Sequence, residues 1–121
     1  MSFGDSVRTC LQKYATFSGR ASRSEFWWFV VFNAVVATAA LVLDSALGLT
    51  WSDQVGPISL VVRLALLLPL LAVGARRLHD ADLSGWWLLL ALIPLLGVIG
   101  LLFMWIRHGS AGDNRFGPAP A

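Results

Sequence analysis

Residues Arg76 to Trp87 read RRLHDADLSGWW. Two arginines, a histidine, two aspartates and a tryptophan pair stand there between two apolar runs too hydrophobic for an ordinary soluble domain. Ser84 is placed to cap a helix that starts at the tryptophans. The stretch reads as a charged loop between two helices, and the nature of the flanking runs decides the fold.

Composition identifies their solvent. The chain has 121 residues, 57% of them hydrophobic and only 13% charged, with a mean hydropathy of +0.71. That balance fits a single domain dissolved in lipid. A net charge of +2 is too small to point to nucleic acid. The basic residues cluster beside apolar runs, where they oppose anionic headgroups, so membrane lipids are the expected partners. The single Cys10 excludes an intrachain disulfide and a cysteine-based zinc site.

Downstream of the loop, Trp86 to Ile106 is a run of 21 residues without a charge, enough for one crossing. Pro94 and Gly97 lie near its middle and offer an alternative, a re-entrant hairpin. A hairpin must shield its broken backbone from lipid, so one continuous span is expected. His108-Gly109 marks its stop, and 107–121 reads as an irregular tail.

Upstream, Ile58 to Ala75 is a second span, interrupted by Arg63 and Pro69. Arg63 lies about 8 Å in from the start of the span at a helical rise, within reach of the headgroups by snorkelling. An ion pair with Asp44 or Asp53 is the competing reading. Phe26 to Leu43 is a first span, with Trp27 and Trp28 at one interface as Trp86 and Trp87 are for the third. Ser22 and Glu25 precede it with capping-box spacing. Asn33, Ala34, Ala37 and Thr38 form a small or weakly polar face suited to close helix approach. Ala37-Thr38-Ala39 resembles a signal-peptide cleavage site, but the segment before the span is too long and too helical for that reading. Asp5 to Phe17 has the periodicity of a short amphipathic helix, able to lie on the membrane or to pack on the rest of the protein.

The expected fold is therefore all-α: a single membrane domain with a short N-terminal amphipathic helix (5–17) and three transmembrane segments (26–43, 58–75 and 86–106), the third re-entrant in the alternative. Three spans with the N-terminus inside put Arg8, Lys13, Arg20, Arg23, Arg76 and Arg77 in the cytoplasm and only Arg107 and Arg115 outside, which favours that orientation. The hairpin alternative returns the tail to the cytoplasm and leaves the outer loop without a basic residue. Charge thus leans towards the hairpin, and the cost of its broken backbone leans against it.

GRASRSEFWW before the first span, RRLHDADLSGWW between the second and third, and GDNRFGP after the last together resemble the small bacterial inner-membrane family known as domain of unknown function 805, the YhaH-like proteins. The resemblance covers nearly the whole chain. It implies the bacterial plasma membrane and a compact helical fold, and it brings no activity with it.

Chemistry has to come from the side chains. His79 as a base oriented by Asp80 would make a membrane enzyme. No nucleophile motif, phosphate loop or metal constellation accompanies them. Arg20, Arg23, Glu25, Arg76, Arg77, His79, Asp80 and Asp82 are instead expected to form a cytoplasmic charged cluster, with Asn33 and Arg63 as intramembrane polar residues. A non-enzymatic protein that assembles with itself or with a membrane-protein partner is the expected function, without metal or cofactor. An oligomeric channel or transport component is the alternative, motivated by Arg63, Asn33 and the prolines. The enzyme reading ranks behind both.

Overall fold

The fold is described from a computed structural model covering residues 2–51, 55–107, 109–110 and 112–118. Ser2 accepts a hydrogen bond from the Asp5 N–H and starts α1, Phe3–Gln12. The helix ends five residues short of the expected Phe17, because Lys13 leaves helical geometry and the chain turns. Its Ser6 and Cys10 are buried against the next helix, so α1 packs on protein.

Ser22 accepts from the Glu25 N–H at 3.2 Å and opens α2, Arg23–Ala46. The reciprocal half of the expected capping box is not formed, since the Glu25 carboxylate faces Arg76 instead. Pro57 starts α3, Pro57–Asp80, at the position where a missing N–H costs nothing. The cap of α3 comes from α2. The buried Asp44 carboxylate accepts from the N–H groups of Ile58 (3.0 Å) and Ser59 (2.8 Å). Gly56 permits this approach, since a Cβ there would stand 2.5 Å from the Asp44 carboxyl carbon. Asp44 is thus committed to a helix cap and does not pair with Arg63, and Asp53 lies outside the described residues. The two helices have 24 residues each, about 36 Å at a helical rise, which exceeds the roughly 30 Å of a bilayer core. Both are apolar enough to cross one.

α3 continues five residues beyond the expected Ala75, so that Arg76 to Asp80 are helical and the loop shrinks to 81–84. The reason is that the charges of this last turn are paired inside the protein. Ser84 then accepts from the Trp86 N–H and starts a 3-10 helix, Gly85–Leu92.

The continuous span expected over 86–106 is not formed. Pro94 brings no N–H to the Ala91 carbonyl three residues back, and it forces the preceding Ile93 out of the helical region (φ −94°, ψ 107°). Leu95 adopts a positive φ of 64°, and the chain reverses into α4, Leu96–Ile106. Gly97 makes the reversal possible, because a Cβ there would meet the Leu90 carbonyl oxygen at 1.5 Å. Both ends of this hairpin rest on the last turns of α3. At its start, a Cβ on Gly85 would lie 3.4 Å from the Ala75 Cβ; at its end, the Trp105 Nε1–H donates to the Gly74 carbonyl at 3.3 Å. Each arm is about 16 Å long, half the thickness of a bilayer core.

Pro69 leaves a second gap, inside α3, where the Ala65 carbonyl has no donor four residues on. The Tyr14 hydroxyl, beyond the end of α1, donates to that carbonyl. Tyr14→Phe should therefore lower stability by about 1 kcal/mol, the usual worth of a hydrogen bond between membrane helices. In a Pro69→Ala background, where the helix supplies its own donor, the same change should cost much less. Unfolding titrations in mixed micelles on the four proteins of this cycle measure the coupling, and equal costs in both backgrounds would refute it.

Candidate functional site

Every residue from Ala72 to Asp80 is buried, and the last turn of α3 carries Arg76, Arg77, His79 and Asp80. One carboxylate organises it. Asp80 Oδ1 receives Arg20 at 2.9 Å, and Oδ2 receives Arg77 from one helical turn back. Two cations on one anion leave a positive surplus, which the backbone absorbs. Arg20 donates to the carbonyls of Ser110 (2.6 Å), Gly112 (2.5 Å) and Gly117 (3.3 Å). Arg77 donates to the carbonyls of Ala21 (3.4 Å), Trp105 (3.1 Å) and Arg107. Trp105 and Arg107 stand at the C-terminus of α4, where the helix dipole is negative, so Arg77 caps α4 from α3.

Arg76 turns the other way, towards Glu25 at the start of α2. Its Nε and Nη2 have no hydrogen-bond partner among the described residues. Cys10 sits beside this pair, 3.8 Å from Glu25 Oε2. Burial and then the Glu25 charge push its thiol up to about 11. Reactivity follows the thiolate, so Cys10 is inert at neutral pH. Ser6 donates to the Glu25 carbonyl at 2.5 Å and ties α1 to the same point.

The structure thus brings Arg20, Arg77 and Asp80 into one group and Arg76 and Glu25 into an adjacent one. Two of the expected members stand at the margin. Arg23 is exposed and reaches only the Ile106 carbonyl at 3.5 Å, and Asp82 pairs with Arg115 at the surface, at 3.3 Å. His79 is buried here but serves a different contact. Its Nδ1 lies 2.9 Å from the Gly19 carbonyl, and its ring stacks on Phe116 with centroids 4.0 Å apart. Asp80 faces the arginines, so the pair in which Asp80 would orient His79 is not assembled.

Among the tryptophans, Trp28, Trp86 and Trp87 are exposed, Trp28 meeting Phe3 edge-on, while Trp27 packs edge-on against Phe26. The Asn33 amide donates to the Phe29 carbonyl of its own helix. Arg63 is exposed near the far end of α3, with no ion pair among the described residues.

Sequence reading missed the tail. Residues 109–110 and 112–117, expected to be irregular, close over the cluster: the Ser110 N–H donates to the Asp80 carbonyl at 2.6 Å, and the Asn114 amide to the His79 carbonyl at 2.9 Å. The available signal was the asparagine two residues before Phe116, whose Oδ1 accepts the Phe116 N–H in an Asx turn. Trp105, whose ring lies tilted against Phe26 with centroids 4.7 Å apart, carried no such signal. His108 lies outside the described residues.

Removing Asp80 strands two buried guanidinium groups, and breaking such a pair costs about 3 to 5 kcal/mol. Asp80→Ala should accordingly fail to accumulate or unfold at much lower denaturant. Asp80→Asn, which keeps an acceptor, should fall between it and the wild type. Denaturation in micelles checks the order, and an Asp80→Ala protein as stable as wild type would show that the cluster does not hold the fold.

Comparison with known proteins places the sequence in a family. The family model described as "Protein of unknown function (DUF805)" matches residues 14–118. The chain is 42% identical over 110 residues to the inner membrane protein YhaI of Escherichia coli (strain K12), covering 91% of this chain and 90% of that one. It is 39% identical over 110 residues to the inner membrane protein YhaH of the same strain, covering 91% of each. No solved structure matches it. The three charged motifs and the cluster they build lie within the matched residues, and the chain belongs to the DUF805 family of proteins of unknown function.

Proposed function

We propose that this protein is a non-enzymatic component of the bacterial inner membrane that crosses the bilayer twice, keeps both ends in the cytoplasm and works by assembling with further copies of itself. The topology rests on the return of α4 to Arg77. With α2 and α3 crossing and the hairpin entering and leaving on one side, eight of the nine basic residues lie on the side of the two termini, Arg63 alone lying within a span. The connection from 47 to 56 has none. An asymmetry of that size favours a cytoplasmic placement of the charged cluster.

The observation that carries assembly is the hairpin turn. Leu92 and Leu95 are 78% and 72% exposed beside a non-helical backbone, at a depth where hydrocarbon cannot satisfy it. A protein surface covering the turn removes that cost, and a second copy supplies a matching apolar one. The absence of catalysis is supported by the use already made of the charges: Arg20, Glu25, Arg76, Arg77 and Asp80 are spent on one another and on the backbone. Two of the polar features that motivate a channel are likewise occupied, Asn33 by its own helix and the Pro69 gap by Tyr14, while Arg63 stands exposed on α3.

A fluorescent reporter fused after Ala121 should be bright in the cytoplasm, and periplasmic alkaline phosphatase activity at that site would overturn the topology. Native mass spectrometry from lipid nanodiscs should show a defined oligomer. A monomer across concentrations would remove self-assembly.

A further inference from the structure

A cavity of about 560 Å³ opens beside the charged cluster, between the end of α3 and the first arm of the hairpin. That volume suits a small organic ligand. Phe17, Leu88 and Phe116 form apolar walls, and His79, Ser84 and Gly85 stand at the polar end. His79 is only 9% exposed. Because a carbonyl oxygen can only accept, the Gly19 contact places the hydrogen of the neutral ring on Nδ1. Nε2 then carries a lone pair, has no hydrogen-bond partner among the described residues, and lies 3.3 Å from where a Cβ on Gly85 would be. Glycine at 85 keeps that nitrogen open to the cavity. Ser84 Oγ accepts from the Trp86 N–H at 3.3 Å, which leaves its own hydrogen free.

The site therefore offers one acceptor and one donor at its head, with apolar walls running along the hairpin. It offers no unpaired cation. Arg20 and Arg77 are held by Asp80, Arg76 by Glu25, and Arg115, on the outer side of Phe116, by Asp82. A phosphate or carboxylate head would meet a lone pair and no compensating charge. A hydroxyl fits, donating to Nε2 and accepting from Ser84.

From this we infer that the cavity binds an uncharged long-chain alcohol of the membrane, with its hydroxyl on His79 Nε2 and its chain along Leu88. Acylglycerols and polyprenols share that chemistry. The inference needs the membrane but not self-assembly, so it stands or falls apart from the oligomeric state.

The test uses the full chain in nanodiscs, with monooleoylglycerol and the polyprenol solanesol as probes and oleate and dioleoylphosphatidylglycerol as comparisons, read by native mass spectrometry. The wild type should retain at least one of the two alcohols in preference to both anions, and the alcohol retained identifies the source. His79→Phe keeps the stacking on Phe116 and removes the acceptor, and it should weaken retention about tenfold. Gly85→Ala keeps His79 and sets a methyl group against Nε2, and it should weaken retention similarly. Should His79→Phe not fold, judged by helicity, Gly85→Ala decides alone. Unchanged retention by the folded variants, equal or better retention of the anions, or no retention of either alcohol would each overturn the assignment.

Discussion

The Asp80 carboxylate is the joint on which the molecule depends. Between membrane helices the hydrophobic effect supplies little attraction, because lipid tails are as apolar as leucine, so packing and polar bonds fix the arrangement. Asp80 holds Arg20 from the linker before α2 and Arg77 from its own helix. Those arginines in turn hold the end of α4 and the tail through carbonyl groups. One anion thereby gathers four separate stretches of chain at one end of the bundle.

A second anion-based tie acts on the helix pair itself. α2 contributes a carboxylate at each of its ends, Glu25 to Arg76 and Asp44 to the first N–H groups of α3. Two fixed points a membrane thickness apart set the register of α2 against α3. Between them the buried Phe29 and Ala40 of α2 pack without needing to specify that register. Gly56 belongs to this tie, since only a residue without a side chain leaves room for Asp44.

The long apolar helices and the importance of the three charged motifs were legible in the sequence, because eighteen residues with one charge or none and the clustering of charge beside them are local facts. The partners of those charges were not. That Arg76 faces Glu25 while its neighbour Arg77 faces Asp80 follows from a helical turn of about 100° per residue, which becomes readable only once α3 is known to continue to Asp80. The hairpin was legible as an alternative, through Pro94 and Gly97. Backbone cost argued for a single span, yet the close approach of Gly97 to Leu90 and the capping of α4 by Arg77 relieve part of that cost. The irregular backbone of the tail was legible from its glycine, proline and asparagine, but not its packing on the cluster, where its carbonyl groups take up the surplus positive charge of two arginines on one aspartate.

The order of synthesis gives that last arrangement a consequence for membrane insertion. Arg20 and Arg77 are made before the carbonyl groups of Trp105, Arg107, Ser110, Gly112 and Gly117 that complete their shells. Until α4 and the tail have been added, neither guanidinium group has these acceptors, and water must take their place. The cluster at the end of α3 therefore closes only as the final arm and the tail arrive. A chain that stops before α4 lacks all five of these carbonyl groups, so its two arginines share the Asp80 carboxylate with their remaining N–H groups turned to solvent.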